Sequence, residues 1–301
     1  MKGVNFYIGI DSLKFGYKTD DKIRFQELIN LLEIEGVPYF EGFRMTKINN
    51  PNHELSFRVD INLIDKWYEY GVLLINGKFD KSVVNGDADE EQENEESGSY
   101  MIWFEFLNPC LYNDKISSEE MFSYLDYITS YLELKIYSIT KLDIYIDSNI
   151  NTAKRFKSAI RNLDLELILL NKKILDRKKT LVGISFLHTS NRIKYNSPTC
   201  YINTHDKDIS LCLYDKTVEV KTNQKQYILE AHNSGKNNIY RTELRLKWKP
   251  MKEFLIKNNI TLYDCYLKLE DKSFLFDLFE YFSNRLVRFK KDRLTINILE
   301  L

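Results

Sequence analysis

The chain has 301 residues, 44% of them hydrophobic and 29% charged, with only 11 Gly and 5 Pro, which excludes collagen-like and Pro-rich disordered classes and describes a soluble chain of one large or two modest domains. Its purely aliphatic runs, such as Leu73-Leu74-Ile75, fall far short of the ~20 residues a membrane helix needs. The net charge of −1 conceals an asymmetry, because residues 1–150 carry 14 Lys and Arg against 27 Asp and Glu while residues 151–301 carry 29 against 17.

A half at −13 joined to a half at +12 points to a polyanion as partner of the basic half, nucleic acid ahead of a membrane surface. Charge alone does not choose between DNA, RNA and a membrane surface. Cys110, Cys200, Cys212 and Cys265 are scattered without CxxC spacing, as expected of reduced cytoplasmic thiols. No basic segment followed by an apolar one opens the chain, so secretion is not expected.

In chain order, Val4–Ile10 reads as a strand, followed by a helix from Asp21 to Glu35 and short strands at Glu54–Ile61 and Leu73–Ile75. Residues 87–98 hold seven acidic side chains and almost no apolar ones, so an acidic disordered surface loop is expected there. Tyr100–Leu107 alternates like a buried strand. Ser117 or Ser118 can cap a helix over Glu119–Leu134, and Ile139–Ile146 alternates strictly before a helix at Thr152–Leu163. The second half continues with strands at Leu181–Leu187, Cys200–Asn203, Ile209–Tyr214 and Ile239–Trp248. Helices are expected at Met251–Asn258, Leu262–Leu269 and Ser273–Phe289. The pattern predicts an α+β fold, a mostly antiparallel sheet with flanking helices and a C-terminal helical appendage. Residues 1–250 form the expected core. Residues 251–301 form a basic helical segment whose Arg288, Lys290 and Lys291 are candidate DNA phosphate contacts.

Several chemistries are absent from the sequence: no P-loop, no GxGxxG after a strand, no GxSxG, and four unclustered histidines. Three segments carry more. In Lys141-Leu142-Asp143-Ile144-Tyr145-Ile146-Asp147, strand alternation puts Asp143, Tyr145 and Asp147 on one face, where two carboxylates need a cation, a basic group or solvent. Asp147 can also simply end the strand and cap the next helix. In Ile209–Glu219, Tyr214 and Lys216 lie together, and a cation near a phenol of pKa ~10 favours its nucleophilic phenolate. In Ile239–Lys247, Arg241, Glu243, Arg245 and Lys247 line one face, as phosphate-binding forks around a glutamate or as an exposed salt-bridged strand.

In order, Asp-x-Leu-x-Phe at 11–15, Lys-Leu-Asp-Ile-x-Ile-Asp at 141–147, Leu-x-Leu-Tyr-Asp-Lys-x-x-Glu at 211–219 and Tyr-Arg-x-Glu-Leu-Arg-Leu-Lys at 240–247 resemble the rolling-circle replication initiators of plasmids and conjugative elements and the gene II nickases of filamentous phages. The resemblance spans roughly residues 5–250. It implies a cytoplasmic, strand-specific DNA nickase-ligase acting at a replication origin. A tyrosine would join the 5′-phosphate and leave a 3′-hydroxyl that primes synthesis. A host helicase and a second copy of the chain are further partners it allows, and no membrane is among them.

By the same matching, Tyr214 is the expected nucleophile and Lys216 its stabilising cation. Arg241 and Arg245 are the expected phosphate contacts, and Asp143, Glu219 and Glu243 the expected carboxylates for binding Mg²⁺ or Mn²⁺ in one shared cleft or for proton transfer. Oxygen donors suit those ions better than Zn²⁺. The His-hydrophobe-His metal signature of many rolling-circle enzymes is missing. If Tyr214 is not the nucleophile, Tyr195, Tyr201 and Tyr240 are the alternatives. The competing function is a sequence-specific DNA-binding protein that opens an origin or represses a promoter without cutting. An RNA-binding role would call for stacking motifs or Gly-rich basic segments, and neither is present.

Overall fold

The computed structural model describes residues 6–19, 21–34, 39–40, 42–63, 66–80, 99–113, 115–173, 193–196, 199–203, 208–231 and 238–301. The acidic stretch 87–98 and the strand expected at 181–187 lie outside them. The protein is mixed α/β, with a large, mostly antiparallel sheet and flanking helices. It divides into two compact units, one made of residues 1–11 and 141–301, the other of 12–140, a division that cuts across the one expected at residue 250.

The 12–140 unit is built on the strand order β1-β6-β5-β4-β3-β2. These strands are β1 (Phe6–Thr19), β2 (Tyr39–Phe40), β3 (Phe43–Lys47), β4 (Leu55–Leu63), β5 (Lys66–Asp80) and β6 (Ser99–Phe106). Period-2 alternation sends Phe15 and Tyr17, Ile102 and Phe104, and Val59 and Ile61 to one buried face. Helices α1 (Lys22–Ile34), α2 (Asn108–Leu111) and α3 (Ser118–Tyr131) belong to this unit. Phe122 of α3 meets Phe15 and Phe106 edge-on, and Phe25 of α1 stacks on Tyr100. The start of α3 is fixed by a capping box, in which the Ser117 hydroxyl accepts from the Glu120 N–H and the Glu120 carboxylate accepts from the Ser117 N–H. Gly71 is needed for packing: a Cβ there would fall 2.2 Å from Phe104 Cζ.

The other unit has the order β10-β11-β12-β13-β7-β1. Strand β7 (Lys135–Ser148), like β1, contributes a segment to each unit. Its partners are β10 (Ile193–Asn196), β11 (Thr199–Ile202), β12 (Ile209–Asp215) and β13 (Tyr240–Lys247), paired antiparallel from β10 through to β7. A second antiparallel sheet, β15-β14-β8-β9, joins β8 (Glu166–Leu169) and β9 (Lys172–Lys173) to β14 (Val287–Lys291) and β15 (Leu294–Ile296). The helices are α4 (Thr152–Arg161), α5 (Lys216–Asn223), α6 (Tyr227–Ala231), α7 (Trp248–Lys257), α8 (Leu262–Lys268) and α9 (Lys272–Leu286). Helices α4 and α9 lie against β12 and β13, and α7 lies against β13.

The last fifty residues therefore belong to the core of this unit. The helix expected through Phe289 ends at Leu286, and the segment carrying Arg288, Lys290 and Lys291 is a β-hairpin. Val287 and Phe289 alternate into the buried side, Phe289 meeting Phe156 of α4, and Asp292 supplies the left-handed turn at φ 53°. Arg288 and Lys290, which suggested a helix end, are the alternate positions of a strand, and Lys291 is its exposed last residue.

Candidate active site

Antiparallel register assembles the site from residues far apart in sequence. Along β13, Arg241, Glu243 and Arg245 stand opposite Tyr214, Cys212 and Ser210 of β12, and opposite Asp147, Tyr145 and Asp143 of β7. Tyr201 of β11 lies opposite Cys212. Because side chains repeat every second residue, the three motifs present one shared polar face. Leu211, Leu213, Leu244, Leu246, Leu142 and Ile144 are the intervening, buried residues.

The Tyr214 hydroxyl donates to Glu243 Oε2 at 2.6 Å, and Lys216 Nζ lies 3.5 Å from the same hydroxyl. Lys216 is 2% exposed at the first turn of α5, with Asp215 as the N-cap. Its ammonium pairs with Glu219 at 2.8 Å and with Asp11 Oδ1 of β1 at 3.7 Å. Glu243 Oε1 accepts from Arg245 Nε at 2.6 Å, and the Arg245 side chain is 47% exposed.

The protonation landscape differs from the sequence expectation at Tyr214. Burial raises the phenol well above its ordinary value. Arg241 works against that shift, while Glu243 and Asp11 add to it. The resting group is a phenol donating a hydrogen bond, and a nearby cation does not make it a phenolate. Burial also pushes the Cys212 thiol up to about 12, which leaves it an inert neighbour of Tyr201 and Glu243. Burial would lower the Arg245 guanidinium, but the charge and hydrogen bond of Glu243 outweigh it and raise it. Asp143 is pushed up to about 6 by burial, with Glu243 adding to the shift and Lys141 and Arg245 opposing it.

Arg241 is not at the surface. Among the described residues it is the largest fully buried side chain, its Nε and Nη2 donating to the two oxygens of Asp147 at 2.6 and 2.5 Å and its Nη1 to Asp11. The guanidinium stacks over Tyr145 at 3.9 Å. Gly9 of β1 makes room for that ring, since a Cβ there would come within 2.7 Å of the Tyr145 hydroxyl. Arg241 therefore cannot meet a phosphate as expected, because its nitrogens are committed inside an Asp11–Arg241–Asp147 triad. Asp147 does not cap the following helix; Asn151 does.

The expected metal trio does not form either. Among the described residues, no group of three His, Cys, Asp or Glu could hold a metal ion. The oxygens of Glu243 are taken by Tyr214 and Arg245, while Glu219 is held by Lys216 and Asn223. Asp143 has Lys141 at 3.4 Å on one oxygen and no hydrogen-bond partner on the other. These donors do not converge on one cation.

Arg288 lies on the second sheet, donating to Asn171 and the Asn284 carbonyl, with Lys290 and Lys291 further along β14. Of the alternative tyrosines, Tyr201 is in the row of Glu243, and Tyr240 falls in the alternate set of β13, away from Tyr214. The Tyr195 side chain is outside the described residues. Sequence reasoning missed Asp11 and Tyr145 as site residues. Asp11 stood in the first matched motif, and Tyr145 shared the face read for Asp143.

This is a site of a tyrosine hydroxyl, an accepting glutamate and two cations on an antiparallel sheet. No family model and no curated protein matches the sequence. The chain is similar to a solved structure, that of a rolling circle replication initiator protein from Geobacillus stearothermophilus, over 96% of this chain and 88% of that one, at 13% identity and a TM-score of 0.42. No helix among the described residues is long and apolar enough to cross a membrane.

Proposed function

We propose that this protein is a DNA strand nickase and ligase that starts rolling-circle replication, with Tyr214 as its nucleophile. The observation that carries the reading is the 2.6 Å hydrogen bond from the Tyr214 hydroxyl to Glu243, with Lys216 beside the same oxygen. A nucleophile donating to a base that a third group holds in place is the arrangement covalent catalysis needs.

In the forward step Tyr214 Oη attacks the scissile phosphorus and its proton passes to Glu243 Oε2. The P–O3′ bond breaks, the 3′-oxygen takes a proton from water, the proton held by Glu243 returns to the hydroxide so formed, and the 5′-phosphate remains on Tyr214. Lys216 offsets charge developing on the attacking oxygen, and the half-exposed Arg245 meets the phosphate. Ligation is the same sequence reversed. Arg288, Lys290 and Lys291 hold the DNA backbone away from the reacting atoms. Because the carboxylates do not converge, no step is assigned to a divalent cation.

The test is supercoiled DNA of its own replicon with the full chain and with Tyr214→Phe. The parent is expected to give nicked circles carrying protein on the 5′ end. Tyr214→Phe should bind the same DNA and give neither product nor adduct. Undiminished nicking by that variant overturns the assignment. Binding without nicking by the parent favours a non-catalytic origin binder or repressor.

A further inference from the structure

A buried guanidinium is expensive. Unless its charge is paired and hydrogen-bonded, desolvation exceeds what the ion pair returns, and a well-packed apolar residue of similar size is often no less stable. Arg241 meets those conditions completely: a two-point fork on Asp147 of β7, a third bond to Asp11 of β1, and a ring beneath it on β7. It also stands directly opposite Tyr214 in the β12–β13 register. Asp11 accepts Arg241 and faces Lys216 through one and the same oxygen, Oδ1. The triad is therefore continuous with the ammonium beside the Tyr214 hydroxyl.

We propose that Arg241 is a positioning residue for the tyrosyl reaction: anchored on Asp147, it fixes Asp11, and Asp11 in turn holds Lys216 against the hydroxyl of Tyr214. The proposal rests on the reading of Tyr214 as nucleophile. It removes Arg241 from the phosphate contacts and gives Asp11 a role. Lys216 has a second anchor, Glu219, on its own helix. The Asp11 contact ties it to a different strand. A lysine at 241 keeps the charge and loses the fork, so charge and geometry can be separated.

The experiment uses the full chain, supercoiled DNA of its own replicon as probe, and the variants Arg241→Lys, Asp11→Asn and Asp11→Glu beside Tyr214→Phe. Folded fraction is checked by circular dichroism at the assay temperature. Arg241→Lys and Asp11→Asn are expected to bind DNA within about twofold of the parent yet nick about 10²-fold more slowly in a single turnover, the loss typical of a misplaced reacting group. Asp11→Glu, which restores the carboxylate, should recover part of the rate. Asp11 lies on a partly exposed strand position, so its variants stay informative if Arg241→Lys does not fold. Nicking within about threefold of the parent by folded Arg241→Lys or Asp11→Asn, with Tyr214→Phe inactive, overturns the positioning role and leaves the nucleophile standing. Equal losses of binding and nicking overturn it as well. Nicking by Tyr214→Phe overturns the underlying reading instead.

Discussion

Replacing Asp143 by Asn should make the protein more stable above pH 6. Asp143 is 5% exposed, one of its oxygens has no hydrogen-bond partner among the described residues, and burial pushes its carboxyl from 3.8 to about 6. In the unfolded chain it ionises near 3.8 and in the folded chain near 6, so between those values the folded state holds the extra proton. Stability therefore falls as pH rises through this window and levels off above it. A shift of roughly two units corresponds to about 3 kcal/mol, an upper figure because local relaxation and water penetration ease part of the burden of the charge. The side-chain amide introduced by Asp143→Asn has no such titration. The difference in unfolding free energy between variant and parent should grow by up to about 3 kcal/mol from pH 4 to pH 7, in the variant's favour. Urea unfolding at half-unit pH steps measures it, and the remaining carboxylates cancel in the difference. Parallel curves for the two proteins would refute the buried, raised carboxyl. A side chain that costs stability at neutral pH, on the face that carries Tyr214, is what a site under functional constraint looks like.

Glu243→Gln keeps the shape of the acceptor but cannot take the phenol proton. Single-turnover nicking should fall about 10²- to 10⁴-fold with DNA affinity preserved, and an unchanged rate would remove Glu243 as base. Changing Arg288, Lys290 and Lys291 together to Gln should lower the slope of log affinity against log salt by about 2.7 if all three meet phosphates. An unchanged slope in a salt titration would take β14 out of the DNA interface. Ser117→Ala breaks the capping box of α3 and should cost about 1 kcal/mol in urea unfolding, with nicking untouched because α3 belongs to the unit without Tyr214.

Strands with clean alternation were the most legible part of the fold. Tyr100–Leu107, Ile139–Ile146, Ile209–Tyr214 and Ile239–Trp248 fall within or nearly on β6, β7, β12 and β13, because a half-buried strand writes its geometry into every second residue. The short β8, β9 and β15 carried no such run, and β14 was hidden behind an apolar stretch that reads equally well as helix. Parity put Tyr214, Glu243 and Asp143 each on the polar side of its own strand. Which charges pair across strands did not follow from parity, since that depends on register. Arg241 and Arg245 are four residues apart on the same strand face and look equivalent in sequence. One is opposite Asp147 and buried, the other opposite Asp143 and half-exposed. The expected cation trio failed for the same reason, as Arg245 and Lys216 reach the carboxylates that a metal would need.

The charge asymmetry follows the compact units more closely than the midpoint of the sequence. Residues 12–140 hold 12 Lys and Arg against 24 Asp and Glu, which leaves 31 against 20 for the unit of residues 1–11 and 141–301. The +11 unit is also the one that contains Tyr214, Lys216, Arg245 and the β14 residues. Under the proposed function, DNA drawn to that unit by long-range attraction would arrive at the unit that holds the phenol. The basic unit cannot be isolated by truncation. Asp11, which Arg241 and Lys216 both engage, enters from the opposite end of the chain on β1, and β1 and β7 each continue into the acidic unit. Removing residues before 12 would strip the triad of one carboxylate and leave the buried guanidinium paired with Asp147 alone. Charge substitutions in the full chain test whether the basic unit binds DNA, because a loss of salt dependence can be read there with the Asp11–Arg241–Asp147 triad intact.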